Sequence, residues 1–490
     1  MAVDTPTIDW AGFSPYLVLL AGASVILLLA LFVPARARNA VSATLSGLTL
    51  AGAGAASITL FAIDERSRDL VAALSQDRLA DLAQIVVVGA GLLSVLVSYR
   101  EPDAEERRGD YYALLLSAVA GMAFFVAANN LISLFLGLEW FSISLYILCA
   151  ITTDRTRALE AGLKYLVVGS FGSAILLFGS ALVYGATGEI GFSAIAAEAA
   201  GADQFLLVTG LAMLLVGLGF KASAAPFHQW TPDVYEGAPT PVTGFMAAAT
   251  KVAALVLTLR FLTTAFPTES ELWTITLGAV ATASLAWGNL AALVQRNVKR
   301  LLAYSSISHA GFLLMPVAAG NALGGRALLY YLIPYAALSI GSFAVVAARE
   351  RELAQPVTLE SLNGLGWERP VHGAAMATFM IGFIGLPPTG LFLAKFYAFS
   401  ALYERGWIWL MVIGAVFTAV SIYYYLGIVR AMYMRAPRLA VAPAGGSPPR
   451  DVALDAAIVG SLVIAVGTFF GVDSLIDVAR DAVDLLTFPF

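Results

Sequence analysis

Residues 221–242 read Lys221-Ala222-Ser223-Ala224-Ala225-Pro226-Phe227-His228-Gln229-Trp230-Thr231-Pro232-Asp233-Val234-Tyr235-Glu236-Gly237-Ala238-Pro239-Thr240-Pro241-Val242, a polar and proline-rich run between two hydrophobic stretches. Proline removes a backbone donor and clashes with the preceding turn, so the segment from about 204 to 231 is expected to be discontinuous rather than merely bent. A second interruption, Gly385-Leu386-Pro387-Pro388-Thr389-Gly390, cuts the apolar stretch 371–402 shortly before Lys395. Paired interruptions of this kind point to an inverted-repeat transporter fold, in which the freed backbone groups face a polar cavity and not lipid.

The chain of 490 residues is 59% hydrophobic and 12% charged, with a mean hydropathy of +0.82. Those values exclude an ordinary water-soluble domain and predict an all-α polytopic membrane protein. A bilayer core about 30 Å thick needs roughly 20 apolar residues per helix. Fourteen segments qualify, near 14–34, 41–63, 80–98, 111–127, 130–151, 161–185, 204–231, 241–262, 272–294, 301–319, 327–348, 371–402, 407–429 and 453–471. Alternate connections then carry 17 and 6 of the 28 basic residues, a bias that fixes the richer side as cytoplasmic and both termini as outside it. The first segment has no basic leader or cleavage pattern and is expected to be retained.

Segments 4–8 and 9–13 each place their interrupted helix fourth. Five helices per unit invert the second unit relative to the first, which divides the chain into 1–105 (three N-terminal helices), 106–265 and 266–436 (the two repeats), and 437–490 (a linker and a last helix). The halves share this layout rather than residue-by-residue similarity. The loops 100–110 and 430–452 are expected to be solvated connections or partner contacts.

Of the 28 basic residues only five are lysines, and four of these, Lys164, Lys221, Lys251 and Lys395, sit inside apolar segments. Arginine keeps its proton in proteins, whereas a lysine withdrawn from water can give its proton up, so the choice suggests proton handling inside the membrane. Glu139 is the only acid between Tyr111 and Ile151. A charge at that depth should find a partner, and Lys164 on the next helix is the expected one. The competing reading has Lys164 snorkel from a helix that begins near Arg157.

Lys221 precedes the first break, where its ammonium could reach unsatisfied carbonyls and water; the plainer reading is a C-terminal lysine on a helix dipole. His228, seven residues on, titrates near neutral pH and is either a relay or a structural imidazole. Asp233 and Glu236 are expected to cap the following helix. Lys251 lies ten residues after Pro241, about 15 Å into its helix and beyond snorkelling range. Lys395 follows the second break as Lys221 precedes the first. His309, within Tyr304-Ser305-Ser306-Ile307-Ser308-His309-Ala310-Gly311, either bridges towards Lys395 or is a satisfied core histidine, and Arg260 reads as an interfacial anchor.

The single Cys149 and three histidines leave no cluster for iron–sulfur, haem or zinc, and no GxGxxG unit follows a strand. If the protein serves a redox process, the electrons run elsewhere. The run Pro226–Val242, with Lys221, Lys251, Leu301-Leu302-Ala303-Tyr304-Ser305-Ser306-Ile307-Ser308-His309 and Gly385-Leu386-Pro387-Pro388…Lys395, resembles the antiporter-like membrane subunits of respiratory complex I (NADH-quinone oxidoreductase) over nearly the whole chain. Within that family it is most similar to the subunit N branch. It has Tyr235 before Glu236, a lysine at 251 where L-type relatives tend to have histidine, and a lysine at 395 where M-type relatives use glutamate. The chain also stops after fourteen helices, without a long lateral helix.

The resemblance implies a cell-membrane subunit that translocates protons along Glu139/Lys164, Lys221, His228, Lys251 and Lys395, with His309 as a further candidate. It implies no cofactor in this chain: NADH, FMN, iron–sulfur clusters and quinone would belong to partner subunits, among them antiporter-like and quinone-site membrane subunits, and no nucleic acid is involved. Two alternatives remain at this point. One is a subunit of a multi-subunit sodium/proton antiporter, and the other a non-conducting membrane scaffold.

Overall fold

The computed structural model describes residues 8–63, 67–101, 107–436 and 451–490 and is almost wholly helical. The N-terminal part holds α1 (Trp10–Phe32), α2 (Ala35–Ala62) and α3 (Arg78–Ser98), with a hairpin of β1 (Arg68–Leu70) and β2 (Leu74–Gln76) between the last two. Next come α4 (Arg108–Val126), α5 (Leu131–Cys149), α6 (Thr156–Thr187), the short α7 (Phe192–Glu198), α8 (Gln204–Lys221) and α9 (Trp230–Gly237). The following span starts as α10 (Thr240–Phe245), passes through a π turn at Met246–Thr250 and continues as α11 (Lys251–Ala265). The remainder is α12 (Ser270–Ala292), α13 (Val298–Ala319), α14 (Ala322–Leu353), α15 (Leu365–Glu368), α16 (Pro370–Ile384), α17 (Gly390–Glu404), α18 (Ile408–Met434), α19 (Val452–Phe470) and α20 (Val472–Val483).

Among the described residues, thirteen helices are long and apolar enough to cross a membrane, the α10–α11 unit counting as one. The segment expected at 371–402 is the pair α16 and α17, 15 residues each, separated where Pro387-Pro388 removes two backbone donors. The segment expected at 204–231 ends ten residues early, at Lys221, and resumes as α9. Helix α6 starts at Thr156 rather than near 161. The β1–β2 hairpin lies in a stretch read from sequence as a plain connection; two three-residue strands are too short to register as alternation against the helices on either side. Positions 102–106 and 437–450, within the expected solvated connections, lie outside the described residues.

Burial orders the helices into a centre and a rim. The most apolar window of α10–α11 is fully buried, and those of α13 and α14 are 94% buried, whereas only 22% of α1 and 28% of α18 is. The exposed rim residues are themselves large and apolar, Leu28, Leu31, Phe171, Phe178 and Val412 among them. Apolar side chains on the outside of a folded bundle are what lipid as solvent requires.

Arg260 is not an interfacial anchor. It is 4% exposed and grips Asp77 with two hydrogen bonds, Nη1–Oδ2 at 2.7 Å and Nη2–Oδ1 at 2.6 Å. Asp77 also caps α3 by accepting from the Ala80 N–H at 2.9 Å. A partner 183 residues away gives no local signal in the sequence. Removing one member of such a pair strands the other charge in a low-dielectric site, at a cost of about 3–5 kcal/mol. Arg260→Gln is therefore expected to lower the thermal unfolding midpoint of the purified complex sharply. Arg260→Met combined with Asp77→Asn, which keeps the cap and removes both charges, should recover most of that loss.

Candidate functional site

The interruption after α8 exposes carbonyls that no helical N–H can reach, and buried lysines gather around it. Lys221, the last residue of α8, is 1% exposed and donates to the Tyr165 hydroxyl of α6 at 3.2 Å. Its Nζ also lies 4.8 Å from the Phe141 ring centre, 5.0 Å from Tyr165 and 5.6 Å from Tyr146. Trp230, the first residue of α9, stacks on Tyr165 at 4.5 Å and donates its indole N–H to the Phe220 carbonyl, so the far side of the break locks the ring that receives Lys221. Glu139 is the carboxylate whose charge reaches Lys221 through space.

Lys251 is fully buried at the end of the π turn and donates to the Ala222 carbonyl at 2.8 Å, one residue past Lys221. Inserting a residue into a helix swings the side chain that follows it, and π turns mark functional positions in many proteins. Here the turn aims an ammonium from the central helix at the broken end of α8, at the carbonyl of the residue that follows Lys221.

The second interruption is built in the same way. Gly385 ends α16 at φ 87°, and a side-chain carbon there would stand 2.8 Å from Lys395 Cδ. That left-handed, crowded position needs glycine. Lys395 donates to the Phe383 and Ile384 carbonyls at 3.1 and 2.9 Å and packs 4.1 Å from the centre of the Phe312 ring. His309, 1% exposed, lies within electrostatic reach of both Lys251 and Lys395. Its Nδ1 meets the Tyr331 hydroxyl at 3.0 Å and its Nε2 the Tyr425 hydroxyl at 3.2 Å. Among the described residues, no carboxylate forms an ion pair with Lys221, Lys251 or Lys395.

Other expected placements differ. Lys164 does not pair with Glu139: it meets Asp233 at 2.9 Å and Glu160 at 2.7 Å, with its side chain 43% exposed. Because α6 begins at Thr156, Lys164 sits in its third turn, and nine residues separate it from Ser173, which is the residue that donates to Glu139. That is about 14 Å along the helix, too far for one carboxylate to serve both. Asp233 and Glu236 do not cap the next helix either. Arg300 holds them at 2.6 and 3.1 Å, and Asn297 donates to Glu236 at 3.2 Å, which ties α9 to the start of α13. His228 is buried beside Trp287, and its Nδ1 has no hydrogen-bond partner among the described residues.

Several contact residues were not singled out from sequence. Tyr165 and Tyr425 read as ordinary apolar-segment aromatics. Tyr331 and Tyr335 stand one turn apart on α14, and the i, i+4 spacing of hydroxyl-bearing rings in a helix without internal charge was the available signal. Among the described residues no group of His, Cys, Asp and Glu could hold a metal ion.

Residues 128–421 match the family described as NADH:quinone oxidoreductase/Mrp antiporter, TM. The chain is 40% identical over 433 residues to NADH-quinone oxidoreductase subunit N of Trichlorobacter lovleyi, covering 88% of each. It superposes on a chain of respiratory complex I from Thermus thermophilus with a TM-score of 0.80 and 33% identity, over 95% of this chain and 99% of that one. A chain of the Mrp complex from Dietzia sp. superposes with a TM-score of 0.85, over 98% of both chains, but at 21% identity, which is a likeness of fold alone. The chain belongs to the transmembrane family shared by NADH:quinone oxidoreductases and Mrp antiporters. Within that family its sequence falls among the N subunits of NADH-quinone oxidoreductase, multi-pass membrane subunits of complex I.

Half-exposed ion pairs contribute little, about 1 kcal/mol or less. Lys164→Ala is accordingly expected to leave assembly and thermal stability of the complex close to wild type, as read by co-purification of its partners and by the unfolding midpoint.

Proposed function

We propose that this subunit carries protons across the membrane along a line formed by Lys221, Lys251, His309 and Lys395, with Glu139 as the charge that sets Lys221. The observation that carries the reading is the partnering of the three lysines. Each sits at or beside an interrupted helix, and each is bonded to a neutral hydroxyl or carbonyl. A lysine held by a carboxylate must break an ion pair to release its proton; one held by a carbonyl keeps that acceptor's geometry after release and can be reprotonated in place.

In this reading the units 106–265 and 266–436 are inverted repeats between an N-terminal part, 1–105, and a C-terminal part, 437–490. Support comes from the mirrored breaks, with Lys221 before the first and Lys395 after the second. The arginine-rich face is cytoplasmic and both termini lie on the other side. A proton taken from the cytoplasm onto Lys221 passes by way of Lys251 and His309 to Lys395 and is released outside. The driving force is quinone reduction in partner subunits, which also hold the sites for NADH, FMN and iron–sulfur clusters. Lys164, drawn to Asp233, stands off the line, and His228 is a structural imidazole.

The through-space charge of Glu139 supplies a gate. A change of one pKa unit corresponds to about 1.4 kcal/mol, so moving Glu139 from Ser173 towards Lys221 by a conformational step in a neighbouring subunit would change lysine occupancy severalfold. A sodium/proton antiporter subunit is the second reading, since the family matched over residues 128–421 takes in Mrp antiporters as well. Lys221→Met and Glu139→Gln are expected to leave the complex assembled and to lower the protons moved per NADH oxidised in membrane vesicles. Normal proton movement in both assembled variants would sink the proton line; sodium-dependent proton movement by the chain with antiporter partners would favour the second reading.

A further inference from the structure

Two cavities follow one another along α13 and α14, and the line described above uses neither. The wider, about 650 Å³, opens on the arginine-rich face and is lined by Glu101, Glu236, Thr240, Lys299, Glu350 and Arg351, among others. The smaller has about 10 Å³ open to the centre of a water and lies between the hydroxyl-bearing residues Ser305, Ser306, Tyr335, Ser339 and Ser342. That volume accommodates roughly one water, and five hydroxyl-bearing residues supply the two to four partners such a water needs.

We propose that a proton-uptake route runs from the wide cavity into the line between Lys251 and His309, with Glu350 as its receiving carboxylate and Tyr235, Ser342, Ser306 and Tyr335 as its conductors. The inference rests on the proton-translocating reading and adds to it a second boarding point, downstream of the one at Lys221. Three acids line the wide cavity, and their partners distinguish them. Glu236 is held by Arg300 at 3.1 Å and Glu101 by Arg351 at 2.8 Å. Among the described residues the cation nearest Glu350 is the Lys299 ammonium at 3.9 Å, and that ammonium spends its closest bond, 2.7 Å, on the Ala238 carbonyl. The other oxygen of Glu350 accepts from the Thr240 hydroxyl. With a quarter of its side chain exposed and its cation at 3.9 Å, Glu350 is the cavity acid that meets water without a close ion pair among the described residues.

Inward from Glu350, Ser342 lies eight residues along α14, about 12 Å by helical rise. Tyr235 lies alongside that stretch, its ring centre 6.1 Å from that of Phe343, the neighbour of Ser342. Its neighbours Glu236 and Gly237 line the wide cavity, while its hydroxyl lies within electrostatic reach of Ser306 and Tyr335 at the small one. The Tyr235 and Ser342 hydroxyls are fully buried and have no hydrogen-bond partner among the described residues. Leaving a buried hydroxyl unpaired costs about 1–3 kcal/mol, so two on one path are a standing demand for a bridging water. Beyond the small cavity, Ser305 bonds Tyr425, whose hydroxyl bonds His309 Nε2. Each hydroxyl and water on this path accepts one proton and donates its own, so the transfer balances without any other reactant.

The test uses the intact complex in inside-out membrane vesicles, where NADH-driven acidification is measured against NADH oxidation. Glu350→Gln and Ser342→Ala are expected to lower the acidification per NADH, with electron transfer in the presence of an uncoupler retained. Glu350→Asp, which keeps a carboxyl, should recover most of the ratio. If Glu350→Gln fails to assemble, Ser342→Ala, which removes one oxygen beside an existing cavity, decides alone. Unchanged ratios in Glu350→Gln and Ser342→Ala beside a lowered ratio in Lys221→Met overturn the uptake route and leave the proton line standing. An unchanged ratio in Lys221→Met as well overturns the line itself, and the route with it.

Discussion

Everything at the centre of this molecule follows from one bond type, a lysine ammonium donated to the carbonyl of an interrupted helix. In hydrocarbon a helix cannot simply stop, because its terminal carbonyls lose their only donors. Lys251 supplies a donor to Ala222 after α8, and Lys395 supplies donors to Phe383 and Ile384 at the end of α16. The breaks and the lysines therefore require one another. Without the breaks the ammoniums would have no acceptor, and without the ammoniums the breaks would leave buried oxygen atoms unpaired. Arginine could cap the same carbonyls, but its guanidinium keeps its proton, so the capping role alone does not explain the choice of lysine.

Lys221 obeys a softer version of the same rule. Its partners are one phenol and three aromatic faces, and cation–π contacts are worth about 0.5–2 kcal/mol each, less than a buried ion pair. A surround of this strength holds the side chain in place while leaving the proton exchangeable. Contrast the pair Arg260–Asp77, equally buried and doubly bonded, which is suited to holding α11 against α3 and to nothing that must change charge. The same membrane interior thus contains two kinds of buried cation, and the partner tells them apart.

Much of this was legible in the sequence. The two broken helices were visible because proline and glycine act locally, and the buried lysines because a charge in an apolar run stands out against its neighbours. What escaped was every feature set by packing across the bundle. Glu139 and Lys164 looked matched because depth was counted from apolar boundaries, yet α6 begins five residues before its apolar core and carries Lys164 out to Asp233. Arg260 looked like an anchor because Asp77 lies 183 residues away in sequence. The π turn before Lys251 left no trace at all, since Met246-Ala247-Ala248-Ala249-Thr250 suits an ordinary helix equally well.

Helix α9 brings these strands of the argument together. Its eight residues are too few to be stable alone. They are held on the outer side by ion pairs from α6 and α13, through Lys164 and Arg300, and on the inner side by Trp230 stacked on Tyr165. The ring fixed by Trp230 is the one that receives Lys221, and Tyr235, five residues on, points its hydroxyl towards the hydroxyls of α13 and α14. This short element therefore bears on Lys221, through the Tyr165 ring, and carries Tyr235 as well. The ion pairs are half-exposed and add little, so it is the buried Trp230 stack that sets the Tyr165 ring in place for Lys221.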